Sequence, residues 1–215
     1  SLRSKKNIDL LNFDSTFTIT TAHQICLFTG PLYVIYKIIS AINLANQLNK
    51  KYTNSSFVPV FWMGTEDHDF KEVNHIHLFG KKIEWDIDES GAVGPMSLKG
   101  FNNVIADLKS VLGSDKRSKK LISIFKATYL KHKNLAEATR YLINELFGED
   151  GLVIIDGNNK NLKKQFVPQM KKDVLRSGFL KDIKDCSGKL SVDYHQQAFI
   201  SDINFFKLSQ NKREK

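Results

Sequence analysis

Apolar residues in the first third of the chain occur in two kinds of pattern. Residues 17–21 and 57–63 are short runs rich in aromatic and β-branched side chains, which predicts two strands. Between them, apolar residues from 35 to 45 recur at helical spacing, which predicts a helix with Pro31 at its first position and its end near Asn49. Strand, helix, strand is the order of a parallel crossover. The pattern therefore predicts an α/β fold with a parallel-sheet core.

The rest of the chain predicts an insertion and a return to the sheet. Residues 73–87 are expected to form a hairpin around Gly80, and residues 91–100 a loop, before helices at about 101–113, 117–131 and 134–147. Residues 152–155 predict a further buried strand, followed by a helix over 159–176 and strand-like pieces at 197–200 and 203–208. We therefore divide the chain into a first half of the core (1–72), a connecting hairpin and helical insertion (73–148), and a second half of the core (149–215) that is truncated at its end.

Composition narrows the class of protein. The chain has 215 residues, of which 41% are hydrophobic and 26% charged, as in ordinary globular domains. No apolar run is long enough to cross a bilayer, and the polar N-terminus lacks the apolar stretch of a signal peptide. Cys26 and Cys186 are too far apart for a metal knuckle or a CxxC pair. These features predict a cytoplasmic location and no membrane partner.

The net charge of +9 comes from one half of the chain. Residues 1–100 carry ten basic and ten acidic side chains, whereas residues 101–215 carry 22 and 13. A basic half can attract nucleic acid, but these lysines recur between apolar positions, as expected for solvated helix faces. We expect no nucleic-acid partner. A nonenzymatic basic module that binds nucleic acid or an acidic partner remains the alternative.

Polar side chains follow the first predicted strand. His23 and Gln24 come directly after it, and the segment from Thr29 and Gly30 leads into the predicted helix. The imidazole can exchange protons with a substrate, and a helix N-terminus attracts phosphate or carboxylate. Tyr33 and Lys37, one turn apart on that helix, are positioned to contact the same anion. A capped helix with a structural histidine is the alternative interpretation.

A second polar cluster follows the second strand. Residues 65–69 bring together a threonine, three carboxylates and an imidazole, a costly group unless its charge is used. It can bind Mg²⁺ or another divalent ion, act as a base, or hydrogen-bond a substrate. A solvated acidic loop and a divalent-metal phosphohydrolase site that uses Asp67, His68 and Asp69 are the other interpretations.

The two clusters define the candidate site. Ligands of open α/β sheets bind beyond the carboxyl ends of the strands, where both clusters and Asp156 are expected to lie. The candidate catalytic residues are His23, Glu66, Asp67, His68 and Asp69, and the candidate substrate- or anion-binding residues are Gln24, Thr29, Gly30, Tyr33, Lys37, Trp62, Thr65, Asn74 and Asp156. Cys26 has only apolar neighbours, so a small buried residue is favoured over a nucleophile. Metal ligands are not assigned.

The same residues resemble a known family. The segments Thr21-Ala22-His23-Gln24, Leu27 to Tyr33 and Phe61-Trp62, with Thr65-Glu66-Asp67-His68-Asp69-Phe70, resemble the bacillithiol biosynthesis cysteine-adding enzymes, or BshC family. The two central motifs are specific, and weaker similarity extends over the chain. Common motifs of other enzymes, such as GxGxxG, the P-loop, GxSxG and HExxH, do not occur.

The resemblance implies a Rossmann-like, nucleotidyltransferase-like core and a ligase activity. The implied reaction joins L-cysteine to the amine of glucosaminyl-malate, giving the low-molecular-weight thiol bacillithiol. Activation of the cysteine carboxyl makes ATP or ADP a candidate cosubstrate, with Mg²⁺ as a candidate ion. Full-length members are expected to form homodimers through a C-terminal coiled coil.

The chain also departs from the family pattern. Ala22 and the pair Ile25-Cys26 stand where members often have glycine, and an arginine expected near Ser201-Asp202 is replaced. The family's coiled coil and later region are absent, so the chain is expected to be a core portion of a longer enzyme.

Overall fold

The computed structural model describes residues 1–196, 199–209 and 212–214. The chain forms two compact units, Ser1–Asn158 and Asn159–Lys215. The strands of the first unit are β1 (Thr16–Gln24), β2 (Ser56–Gly64), β3 (His75–Leu78), β4 (Lys81–Glu84) and β5 (Val153–Asp156). Its helices are α1 (Leu2–Leu10), α2 (Leu32–Lys51), α3 (Phe70–Val73), α4 (Phe101–Leu112), α5 (Lys116–Tyr129) and α6 (Leu135–Phe147).

The core sheet of the first unit is parallel. Its strand order is β1–β2–β5, and β1 pairs with β2 from Thr16 opposite Ser56 to Gln24 opposite Gly64. β5 pairs with the other edge of β2, ending with Asp156 opposite Met63. This arrangement confirms the predicted α/β fold with a parallel-sheet core. β3 and β4 form the predicted antiparallel hairpin, with the turn at Phe79 and Gly80 in positive φ.

Apolar side chains cover both faces of this sheet. On one face, Phe61 and Met63 of β2 belong to a large core that includes Ile38 and Ile42 of α2. On the other face, a smaller cluster that contains Val58 and Val60 packs against Leu10 of α1. Alternate residues of β2 thus point to opposite sides, as the pleat requires.

Helices α4, α5 and α6 extend the large core. The buried residues of α4 are Phe101, Val104, Ile105 and Leu108, which is the helical spacing read from the sequence. Asp115 and Asn134 cap α5 and α6 by accepting hydrogen bonds from backbone N–H groups. The three predicted helices are confirmed, with ends that differ by one or two residues. The lysines between their apolar positions are exposed.

One helix and one helix boundary near the start of the chain differ from the prediction. α1 was not predicted, because few apolar residues mark it. Its Ser4 hydroxyl and Asn7 amide instead donate hydrogen bonds to carbonyl groups at 148–152. Pro31 is the residue before α2 rather than its first residue, because its ψ of 145° is extended.

The helices and strands of the second unit differ from those predicted for the end of the chain. Its elements are α7 (Lys160–Gln165), α8 (Val167–Arg176), α9 (Leu180–Leu190), β6 (Lys207–Ser209) and β7 (Lys212–Glu214). The single helix predicted over 159–176 is divided at Phe166, since Pro168 lacks the N–H that a continuous helix needs. Helix α9 was not predicted.

The strand-like pieces predicted in the tail are mostly not strands. Gln197 and Ala198 lie outside the described residues, and residues 199–200 are in no strand. Of residues 203–208, only Lys207 and Leu208 lie in β6, which pairs with β7 in an antiparallel hairpin.

Among the described residues, no helix combines the length and apolar character needed to cross a membrane.

Neighbouring isoleucines of α2 test the packing of the large core. Ile38 is fully buried, whereas Ile39 is 39% exposed. Ile38→Ala is expected to lower the free energy of unfolding by about 2–5 kcal/mol, because it removes buried methyl groups and leaves a cavity. Ile39→Ala is the matched control, with an expected change within about 0.5 kcal/mol. Urea denaturation measures both, and equal losses would contradict this packing.

Candidate functional site at the carboxyl edge of the sheet

Polar residues of β1, β2 and β5 meet at one edge of the parallel sheet. His23 and Gln24 end β1, Thr65 follows β2, and Asp156 ends β5 beside Met63. Parallel strands of matched register place their carboxyl ends together. The predicted convergence of the polar clusters at this edge is therefore seen in the fold.

The His23 ring makes two hydrogen bonds, one as a donor and one as an acceptor. Its Nδ1 lies 2.9 Å from the backbone oxygen of Gln24, and its Nε2 lies 2.5 Å from the hydroxyl of Tyr33. A carbonyl oxygen only accepts, so Nδ1 donates, and in the neutral imidazole Nε2 accepts from the tyrosine hydroxyl. This geometry links the end of β1 to the first turn of α2.

The first two turns of α2 add positive charge near His23. The Lys37 ammonium donates to the backbone oxygen of Ala22 at 2.6 Å and lies 5.7 Å from the centre of the Tyr33 ring. No side chain caps the helix, and no acidic residue lies in its first turn. A helix N-terminus with a nearby ammonium favours a carboxylate or phosphate.

Gln24 connects β1 to an acidic group on the other side. Its Nε2 donates to Asp67 at 2.5 Å and to Glu72 at 2.9 Å. The other oxygen of Asp67 accepts from the backbone N–H of His68 at 2.7 Å, which fixes the carboxylate. Two carboxylates around one amide make this part of the edge suitable for a cationic or hydrogen-bond-donating group.

Glu66 lies beneath the turn that follows β5. Its Oε2 is buried and has no hydrogen-bond partner among the described residues. A Cβ at Gly157 would lie 2.5 Å from this oxygen and 2.6 Å from Nε1 of Trp62, so the turn approaches closely only because residue 157 is glycine. The carbonyl oxygen of Glu66 accepts from Nδ1 of His68 at 2.9 Å. A buried acceptor without a donor is a feature of sites that receive a ligand or water.

Thr65 and Asp156 form a neighbouring cleft. The Thr65 hydroxyl donates to the Asp156 carboxylate, which also accepts from the backbone N–H of Asn158 at 2.9 Å. Arg140 of α6 lies 3.9 Å from the other Asp156 oxygen and donates to the backbone oxygen of Ile154. Thr65, Arg140, Asp156 and Asn158 line a cleft of about 230 Å³, together with Glu137. The cleft offers both an arginine and carboxylates to a polar ligand.

The turn between β1 and α2 has an unusual backbone. Phe28, Thr29 and Gly30 all have positive φ, at 52°, 77° and 67°. A Cβ at Gly30 would lie 2.5 Å from Cβ of Cys26, so only glycine fits there. Left-handed backbone at phenylalanine and threonine is uncommon, and such strain gathers at functional sites.

The side chains of two predicted site residues lie apart from these contacts. Asp69 is exposed and precedes α3, and its side chain does not cap the helix. Asn74 is buried, and its amide donates to the backbone oxygen of Trp85 at 3.0 Å, which fixes the base of the β3–β4 hairpin. The structure gives Asn74 a structural contact, and its part in ligand binding stays a prediction.

A sequence model of one family matches the whole chain. It is described as Bacillithiol biosynthesis BshC, N-terminal Rossmann-like domain, and it matches residues 1–215. The chain belongs to the BshC family. The parallel sheet described above is thus the Rossmann-like core that the sequence predicted.

Curated relatives of the family are similar along this chain. Proteins named "Putative cysteine ligase BshC" from Flavobacterium psychrophilum and Flavobacterium johnsoniae are 46% and 44% identical over 212 residues, which is 99% of this chain and 40% of each relative. The one from Christiangramia forsetii is 42% identical over 220 residues, 100% of this chain and 41% of the relative. The chain spans about 40% of the length of these relatives.

Sequence reasoning missed two residues that the BshC core brings to this edge. Glu72 is absent from the predicted site, although its place three residues after Asp69, in the short helix α3, was a signal. Arg140 had no signal, because it is one of many basic residues after position 100. Its place at the site depends on how α6 packs beside β5.

The geometry gives no support to a metal centre. Among the residues described, no three His, Cys, Asp or Glu side chains are close enough to share an ion. His68 directs Nδ1 to a backbone oxygen of its own loop. The phosphohydrolase alternative thus has no three-ligand group behind it among the described residues.

Cys26 is a buried thiol, as the sequence indicated. It is 8% exposed, and its Sγ lies 3.9 Å from Nδ1 of His23. Burial, together with the nearby carboxylates of Glu72 and Asp67, raises the pKa of Cys26 from 9.0 to about 11. Because the thiolate is the nucleophile, this pKa disfavours covalent catalysis by Cys26.

The raised pKa of Cys26 predicts a pH dependence of stability. The folded state disfavours the thiolate, so the stabilising effect is complete below the unfolded pKa of 9.0 and is lost as the pH rises to about 11. The free energy of unfolding of the wild type should fall more steeply over this interval than that of Cys26→Ala. Denaturant titrations across this pH range measure the two slopes, and equal slopes would contradict the assignment.

Proposed function

We propose that this chain carries the substrate-binding core of a cysteine ligase of bacillithiol biosynthesis. In this reaction L-cysteine is joined through its carboxyl group to the amine of glucosaminyl-malate. The observation that carries the proposal is the gathering of His23, Gln24 and Asp67 at the carboxyl edge of a sheet that belongs to the BshC family. The name that the relatives carry, "Putative cysteine ligase BshC", supports a reaction that joins cysteine to another molecule.

The charge pattern of the edge suits both substrates. L-Cysteine is a zwitterion, and glucosaminyl-malate carries an amine and malate carboxylates. The donor side, formed by Lys37 and the N-terminus of α2 beside Tyr33, suits a carboxylate. The acceptor side, formed by Asp67 and Glu72, suits an ammonium group. Gln24 lies between these two sides and holds the carboxylates in place.

The chemistry requires a base at the attacking amine. As the C–N bond forms, the neutral amine nitrogen loses one of its two protons and keeps the other as the amide N–H, while the activated carboxyl of cysteine loses an oxygen-bearing leaving group. We assign proton removal to the acidic side, with Asp67 as the principal candidate, and binding of the carboxyl oxygens to Lys37 and the N-terminus of α2, beside the His23–Tyr33 pair. Glu66, His68 and Asp69 complete the proposed catalytic group. ATP or ADP is the candidate activating cosubstrate, and Thr65, Asp156 and Trp62 are assigned to substrate binding.

Further properties of the whole enzyme are proposed with the reaction. The nucleotidyltransferase-like character of the core and a homodimer formed through a coiled coil outside this chain follow the family resemblance. A cytoplasmic location is supported by two free cysteines in the described residues, one of them exposed.

Calorimetric titration with glucosaminyl-malate tests the proposal. Asp67→Asn is expected to weaken binding by about tenfold or more, because a charged partner is lost from the acidic side. The asparagine can still accept from the His68 N–H, so the loop should remain folded. Asp107→Asn, the same change at an exposed position of α4, is the matched control and should bind as the wild type does.

The outcome separates the proposal from its alternative. Wild-type affinity in Asp67→Asn would overturn the assignment of the acidic side. An absence of glucosaminyl-malate binding together with salt-dependent binding of RNA or DNA would favour the basic-module alternative. Titrations with ATP and ADP then identify the activating cosubstrate.

A further inference from the structure

Contacts from helices outside the sheet fix the turn between β1 and α2. Phe28 and Thr29 have positive φ, which their own side chains disfavour, and Gly30 follows with a φ of 67° and a ψ of −144° that only glycine adopts readily. Such a conformation persists only where surrounding contacts fix it. The contacts that fix this turn come from α4 and α5 of the connecting helices.

Tyr129 at the end of α5 provides the polar contact. Its hydroxyl accepts the backbone N–H of Phe28 at 2.7 Å, across 101 residues of sequence. The Phe28 ring packs edge-on against Phe125 and Tyr129, with ring centres 4.7 Å and 5.2 Å away. The Tyr129 ring is itself stacked on Phe101 at 4.2 Å. One hydroxyl in an aromatic cluster thus satisfies a buried donor of the turn.

We propose that Tyr129 is a positioning residue for the ligand site, acting through the turn at Phe28, Thr29 and Gly30. Its hydroxyl fixes the turn, and the turn sets where the main chain of Thr29 and Gly30 and the first turn of α2 stand relative to His23. The inference rests on the proposed function, because it takes this edge as the site that binds substrate. The connecting helices thereby control a site that lies on the sheet.

The burial of Tyr129 agrees with this role. The residue is 1% exposed, and a phenylalanine would fill the same space without a buried hydroxyl. Burial raises the pKa of Tyr129, so the hydroxyl stays neutral and acts as a hydrogen-bonding group. A hydroxyl at this depth is favourable because it pairs with the Phe28 N–H.

Tyr129→Phe and Thr128→Val form a matched pair for the test. The first change keeps the ring and removes the acceptor of the Phe28 N–H. The second removes another buried hydroxyl, one residue away, that donates to the Ile124 carbonyl of its own helix and has no bond to the turn. Thermal unfolding shows whether the two variants lose similar stability.

Binding of glucosaminyl-malate is the functional readout. At similar stability, Tyr129→Phe should bind at least about tenfold more weakly than the wild type, whereas Thr128→Val should keep wild-type affinity. A general loss of stability would instead lower the affinity of both variants by similar factors. Equal affinities in wild type and Tyr129→Phe, or equal losses in the two variants, would overturn the proposal.

Alkylation of Cys26 gives a readout that needs no ligand. Gly30 covers this thiol, so a loosened turn should let iodoacetamide reach it at least about tenfold faster in Tyr129→Phe. Thr128→Val should label as slowly as the wild type, and exposed Cys186 is the internal reference. If the wild type fails to bind glucosaminyl-malate, the proposed function fails, while labelling still decides whether the hydroxyl holds the turn. Unchanged labelling of Cys26 in Tyr129→Phe would overturn the inference.

Discussion

The candidate site depends on the register of β1 against β2. The two strands pair over nine residues, so that Gln24 lies opposite Gly64 and His23 opposite Met63. A slip by one residue would turn every side chain to the other face of the sheet. Phe61 and Met63 would then leave the large core, so the packing that stabilises the sheet also fixes the place of the polar residues at its end.

Two segments of the chain give the two sides of this edge opposite charge. α2 brings Lys37 and an uncapped N-terminus to one side, and the segment after β2 brings Asp67 and Glu72 to the other. Gln24 lies at the boundary because the amide group can donate to both carboxylates at once. Carboxylates near a cationic region can receive a zwitterion without a net change in the charge of the site, which suits an amino-acid substrate.

Much of the fold could be predicted, since burial leaves a pattern in the sequence. The strands β1, β2 and β5 and the helices α2, α4, α5 and α6 have clear apolar periodicity. α1 lacks it and depends on hydrogen bonds from Ser4 and Asn7 to residues far along the chain, which no local pattern can show. The break between α7 and α8 follows from Pro168, whose presence was a signal that the prediction did not use.

The site was predictable where its residues are neighbours in sequence, and much less so where they meet by folding. His23 and Gln24 end β1, residues 65–69 directly follow β2, and the edge of a parallel sheet brings them together. The contact of Gln24 with Glu72 spans 48 residues, and that of Phe28 with Tyr129 spans 101. Such contacts depend on how the connecting helices and α3 pack, which the apolar pattern alone does not specify.

The central claim is that the carboxyl edge of the sheet binds the substrate. A crystal structure of this chain with glucosaminyl-malate tests it most directly. The account predicts the ligand within hydrogen-bond distance of Lys37 or the N-terminus of α2 on one side and of Asp67 on the other. A ligand found instead in the lysine-lined cleft between α4 and α5, beside Lys109, Lys119 and Lys126, would contradict it.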